Sequence, residues 1–169
     1  MDALQTIFAR RSVRKYKDAP IPDDELTQIL EAARQAPSAA NRQPWHFVVV
    51  RDPEQRRHVA AACNGQLWMA DAACIIVAVG LPQVSPRWYR SDVAIAVENL
   101  VLAARSLGYG TCWVGAFDPD ELKRVCNIPA EAEVVICVPL GVPDADPPAR
   151  PRKEWNEVFS MGGKWAPGQ

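Results

Sequence analysis

The 169-residue sequence predicts an α+β fold: one domain, residues 1–169, with a single sheet covered by helices on both sides. Three observations predict it. Short β-branched apolar runs are interspersed with longer segments of helical period. No repeat, low-complexity tract or shift in composition divides the chain. Hydrophobic residues make up 49% and charged residues 23%, the balance of a globular domain long enough to bury a core.

The elements follow in order. Residues 2–11 read as a first helix, with Leu4, Ile7 and Phe8 on one face. A second carries the stripe Leu26, Ile29, Leu30 and Ala33; Asp23 or Asp24 is placed to cap it, and Pro37 ends it. HFVVV, 46–50, is a β-branched strand, and Asp52-Pro53 opens a helix that runs through Cys63. ACIIVAVG, 73–80, is a buried strand, followed by the loop LPQVSPRWYRSD, 81–92. The segment 93–110 is apolar almost all round, so it is a central helix, with Gly108 and Gly110 suited to a left-handed cap and a turn. TCWVGAF, 111–117, reads as a strand. Asp118 to Val125 is a short capped helix, and EVVICVPLGVP, 133–143, is another strand. The proline-rich tail, 143–169, has few periodic apolar residues and is expected to lie across its own domain or a second subunit.

Charge and cysteine usage narrow the function. The formal net charge is -1, which argues against a polyanion or nucleic-acid binder. The longest apolar run is too short for a bilayer, and the N-terminus reads as an amphipathic helix rather than a leader, so no membrane partner is expected. Cys63, Cys74, Cys112, Cys126 and Cys137 are odd in number and contain no C-x-x-C pair, which fits a reducing cytoplasm and neither a disulfide framework nor a zinc site.

Against that near-neutral background, Arg10, Arg11, Arg14, Lys15 and Lys17 crowd together around Ser12. Cations in the last turn of a helix complement its dipole, and that is the plain reading. However, three of the five are arginines, which bind phosphate bidentately, and the tail repeats the pattern with Arg150, Arg152 and Lys153. Two separated arginine clusters are able to converge on one compact dianion. No glycine-rich phosphate loop is present, so side chains would have to hold it.

PSAANRQPWHFVVV, 37–50, pairs proline and small residues, which let a backbone lie flat on a ring, with Asn41 and Gln43, whose amides suit a heteroaromatic edge. In GYGTCWVGAF, Gly115 either lets the main chain approach a ligand or marks a strand end. The two histidines, His46 and His58, stand beside no nucleophile elbow. Metal ligands do not cluster. Hard chemistry would therefore have to come from a cofactor.

Taken together, FARRSVRKYKD, PSAANRQPWHFVVV, SDVAIAVENLVLAARSLGYGTCWVGAFD and VPLGVPDADPPARPRKEWNEVF resemble the four motifs of the flavin-dependent nitroreductase family, in the family's order. The resemblance runs from about Leu4 to Trp155. It implies a mainly antiparallel central sheet flanked by helices, a homodimer whose C-terminal tail reaches the partner, and FMN as cofactor. It implies that Arg10, Arg11, Ser12, Arg14, Arg150 and Arg152 hold the phosphate and ribityl end. Pro37, Ser38 and Ala39 would come from the partner subunit, with Asn41 and Gln43 nearby. Val114, Gly115 and Ala116 would face N5 and O4, and Gln66 the pyrimidine edge. No side chain need be catalytic. The implied reaction passes hydride from NADH or NADPH to a small-molecule acceptor, such as a nitroaromatic or quinone, by a ping-pong mechanism. A non-catalytic flavin sensor or store is the alternative. The chain departs from the family pattern in its shortness, which leaves only the loop 81–92, with Trp88 and Tyr89 as candidate lids, to cover a substrate, and in having Ala39 or Ala40 where a second serine is common.

Overall fold

The computed structural model describes residues 1–161 and 163–168. Its sheet contains β1 (Trp45–Val50), β2 (Cys74–Gly80), β3 (Gly110–Thr111) and β4 (Glu133–Gly141) in the order β1-β2-β4-β3. Every pairing is antiparallel. β2 is paired on both sides and buried along its whole length. Its alternation divides the core. Cys74, Ile76 and Ala78 face α2 (Asp23–Arg34) and α4 (Tyr89–Ser106), while Ile75, Val77 and Val79 face α3 (Pro53–Ala62) and α5 (Pro119–Cys126). Helices on both faces match the expected architecture.

Local chemistry explains most boundaries. Asp52 accepts from Gln55 N at 2.8 Å with Pro53 at the first helical position, so α3 starts where the sequence places it. Asp118 caps α5 through Asp120 N and Glu121 N, both at 3.0 Å. In α2 the N-cap is Pro22, with no side-chain bond; Asp23 and Asp24 act instead as first-turn charges on the helix dipole, correcting their expected capping role.

Three expected elements differ. First, α1 spans Ala3–Ala9 rather than 2–11, because Arg10 is already extended at φ -62, ψ 134. The cations therefore lie outside the last helical turn, and the helix-dipole explanation for them fails. Second, α4 begins at Tyr89, four residues before the apolar run. Tyr89 is buried, donates to Glu133 Oε2 at 2.6 Å and packs on Gly80, so it is no mobile cover for a substrate. Third, 111–117 is no continuous strand. Only Gly110–Thr111 forms a ladder, and Val114 rejoins β4 through a single bridge to Cys137.

Beyond α1 the chain crosses in extended form. Ser12 bridges Thr111, Val13 N donates to Thr111 O at 2.9 Å, and Tyr16 bridges Pro143. Gly108 supplies the left-handed turn after α4, at φ +92. Gly110 answers a different need: a Cβ there would stand 2.8 Å from Val13 Cβ. Asp144 N then donates to Lys15 O at 3.0 Å, which lays the start of the tail along this crossing segment. The tail also holds a short helix, α6 (Trp155–Val158). Among the described residues, no helix is long and apolar enough to cross a membrane.

Candidate functional site

The crossing segment and the tail enclose a cavity of about 330 Å³. Arg10, Arg11, Ser12 and Arg14 line it from one side, and Pro147, Pro148, Arg150 and Arg152 from the other. All six residues expected to hold a phosphate thus meet. The cause is local. Val13 and Tyr16 are buried, so their neighbours in the extended segment point outward, and the 15–144 backbone bond brings the tail alongside.

The ion pairs among the described residues are Arg34–Glu31, Arg51–Asp23, Arg90–Glu133 and Arg124–Glu121. None involves the five guanidiniums of the cavity. Like charges gathered with no carboxylate in ion-pair contact repel, and the arrangement becomes favourable when an anion neutralises them. Arg11 also supports the local structure, because its Nη1 donates to Phe8 O at 2.7 Å and to Arg10 O at 2.8 Å, closing the carbonyl end of α1. Beneath the cavity, burial pushes the Cys112 thiol up in pKa, against the opposing charges of Arg14 and Arg10 and a bond to Ser12. The thiol stays neutral there. Burial likewise raises the half-buried Glu98 carboxyl on α4, opposed by the Arg10 charge and the Trp113 side chain.

A second group adjoins through the 3-10 turn Leu67–Asp71. Trp68, on this turn, lies under the Arg14 guanidinium at 6.0 Å. Gln66, just before it, donates from Nε2 to Ala116 O at 3.3 Å and to Cys63 O at 3.1 Å. One short turn therefore touches both the cationic cavity and the segment Val114–Ala116. In that segment Val114 is fixed by two bonds to Cys137, at 2.9 and 3.0 Å. Gly115 and Ala116 are exposed, and among the described residues their amide N–H groups have no partner. A Cβ on Gly115 would meet only Ile136 Cδ1, at 3.4 Å, so packing within the chain does not require glycine there. The segment offers two free donors to an open face.

Pro37, Ser38, Ala39, Asn41 and Gln43 are not brought to this site within one chain. They lie in the connection before Trp45, which pairs with Gly80, whereas Thr111 pairs with Leu140 near the other end of the sheet. The connection is tightly held. Ser38 Oγ accepts from Gln43 N at 2.9 Å, and Ala39 N donates to the buried Asp92 at 3.1 Å. Ala40, Asn41 and Gln43 all have φ between +51 and +53. Non-glycine residues rarely adopt that conformation, and such strain gathers at ligand clamps. Gln43 Nε2 is spent on Asn41, bonding its O and Oδ1, so these amides pair with each other.

Trp68, Asp92 and the wall prolines Pro147 and Pro148 were not singled out from sequence. Trp68 carried a signal: it stands two residues after Gln66 in NGQLW. Asp92 carried none, because an acid at the start of a helix is ordinary. Among the described residues, no cluster of His, Cys, Asp or Glu is placed to hold a metal ion.

A sequence model described as Nitroreductase family matches residues 7–79 and 62–142. A putative NADH dehydrogenase/NAD(P)H nitroreductase of Archaeoglobus fulgidus is 39% identical over 149 residues, covering 84% of this chain and 86% of the relative. Two solved structures are similar throughout. The NADPH:FMN oxidoreductase of Vibrio harveyi, complexed with NAD+, superposes with a TM-score of 0.88 at 26% identity, covering 97% of this chain and 78% of its own. An FMN-dependent nitroreductase of Clostridium difficile superposes with a TM-score of 0.85 at 26% identity, covering 94% and 98%.

Proposed function

The chain belongs to the nitroreductase family, and on that premise we propose that it is an FMN-dependent oxidoreductase that takes hydride from NADH or NADPH and passes it to an electron-poor small molecule. The observation that carries this reading is the gathering around one cavity of Ser12 and five guanidiniums that have no carboxylate partner among the described residues. That donor set fits the dianionic phosphate of FMN. The names of the Vibrio harveyi and Clostridium difficile proteins supply the cofactor, and bound FMN supplies the two-electron hydride chemistry that no side chain here provides.

Each residue then has a role. Arg10, Arg14, Arg150 and Arg152 hold the phosphate by charge-assisted bonds, with Ser12 and Arg11 completing the cradle toward the ribityl chain. The free N–H groups of Gly115 and Ala116, beyond Val114, orient the ring edge and stabilise negative charge that develops there. Gln66 reaches the pyrimidine edge and keeps the Val114–Ala116 segment in place. Pro37, Ser38 and Ala39 come from a second copy and cover the ring, with Asn41 and Gln43 shaping that loop. The site is therefore complete only in a homodimer.

Exposed apolar residues support the dimer. Leu4, Ile7, Phe8 and Ile95 stand on helices α1 and α4, and Trp155, Val158, Phe159, Met161 and Trp165 on the tail. Residues 1–169 form one FMN-binding domain whose tail, from 143, first lines the cradle of its own chain and beyond Arg152 continues onto the partner. Five free cysteines suit a reducing cytoplasm. The acceptor is of the nitroaromatic or quinone class, and it uses the same face as the nicotinamide, so turnover is ping-pong.

The test is a visible spectrum of the purified protein, taken anaerobically before and after NADH, then NADPH, then a quinone. Flavin bands that bleach with a nicotinamide and return with the quinone are expected. Bands that persist with both donors indicate a flavin store or sensor. A colourless protein that takes up no added FMN overturns the reading.

A further inference from the structure

A second charged cleft lies where β1 ends and β2 begins. It consists of two adjoining cavities, of about 250 and 440 Å³, which share Asp18, Arg56 and Asp71 in their walls. Arg57 lines the larger, and Ile21 and Leu26 line the smaller. No residue of the phosphate cradle lines either one.

The charges do not neutralise each other directly. Asp18, Asp71, Arg56 and Arg57 take part in none of the four ion pairs among the described residues, and Arg51 at the cleft is already held by Asp23 at 2.6 Å. The Nε of Arg56 is buried without a partner among those residues. A buried donor left unmade is costly, so this guanidinium favours an acceptor. A simple anion would satisfy the arginines but meet two carboxylates. A simple cation would meet the reverse. Two unspent carboxylates and two unspent guanidiniums, formally neutral together, complement a ligand that carries both signs a few bonds apart.

We infer that this cleft binds a small zwitterion of the α-amino acid class with an apolar side chain. Its carboxylate bonds Arg56 and Arg57, its ammonium bonds Asp18 and Asp71, and its side chain enters the smaller cavity, whose floor holds the largely buried Ile21 and Leu26. This site is independent of the flavin reading and does not fall with it.

Isothermal titration of the purified full-length protein tests it with three probes that share one side chain: L-leucine, 4-methylpentanoate, which lacks the ammonium, and 3-methylbutylamine, which lacks the carboxylate. L-leucine is expected to bind saturably, with each analogue weaker by about tenfold or more. Asp71→Asn and Arg56→Gln are each expected to weaken L-leucine to a similar degree, with FMN content and melting temperature unchanged. Asp18→Asn serves in place of either variant if it does not fold. The inference is overturned if L-leucine gives no saturable heat, if either analogue binds as tightly, or if folded variants bind it as the parent does.

Discussion

At the scale of single residues, the proposed phosphate cradle rests on arginines that form no ion pair among the described residues. Guanidiniums left uncommitted in this way keep donors for a ligand, and a charge-assisted bond contributes roughly 1.5–3 kcal/mol. Arg10 and Arg152 approach from the two different chain segments, so replacing both tests the convergence itself. The double variant Arg10→Ala, Arg152→Ala is expected to lose FMN affinity by about a hundredfold or more, read by fluorescence titration of the flavin-free protein. Unchanged affinity would remove the phosphate from this cavity. The same residues show what the sequence made legible. Arginine in place of lysine, beside a serine and repeated in the tail, pointed to the two clusters that meet at one cavity. It could not announce that Trp68 lies beneath Arg14, or that Asp92 anchors Ala39, because both contacts join segments far apart in sequence and use side chains common in core and helix starts.

At the scale of elements, the site depends on an irregular edge. Helices α3 and α5 were legible because aspartate followed by proline is a local signal of cap and first turn. The strand expected at 111–117 was not formed as such, because a β-branched and aromatic run reads as a strand whether or not a neighbour is there to pair with it. Here β4 is engaged at Gly110–Thr111 and again at Val114, and the chain then leaves the sheet. That departure frees the amides of Gly115 and Ala116. The crossing segment is equally dependent on close packing. A Cβ at Gly110 would meet Val13 Cβ at 2.8 Å and both Val13 methyls at 2.9 Å, and a β-branched side chain has few ways to turn aside. Val13 is itself pinned by its bond to Thr111 O. Gly110→Ala is therefore expected to destabilise the fold by about 1–3 kcal/mol in urea unfolding, as overpacking does. A Gly110→Ala protein as stable as the parent would mean that the crossing segment is not held this tightly, and that Arg14 and Ser12 are positioned by something else.

At the scale of the whole molecule, one chain holds the cradle near the end of its sheet where Thr111 pairs with Leu140, the free amides beside Ile136 midway along β4, and the strained 38–43 loop before Trp45 at the other end. A loop with three left-handed non-glycine residues persists only when its surroundings over-determine it, and Asp92 and Ser38 supply that hold. The arrangement has a use if the loop serves a second copy, and the exposed Phe8, Trp155 and Trp165 offer apolar surface for such a contact. This assembly predicts a linkage. If each flavin is held by two chains, whatever favours the dimer favours the flavin, and the coupling is reciprocal. Dilution of the flavin-loaded protein should release FMN over the same concentration range in which sedimentation reports dissociation, and added FMN should shift that range downward. Leu4→Glu places a charge on the exposed face of α1, six residues before the first cradle arginine. It is expected to raise the dissociation range and the FMN dissociation constant together. Flavin retention that ignores protein concentration, in a protein that sediments as a monomer, would show that one chain completes the site alone and that the 38–43 loop is strained for another purpose.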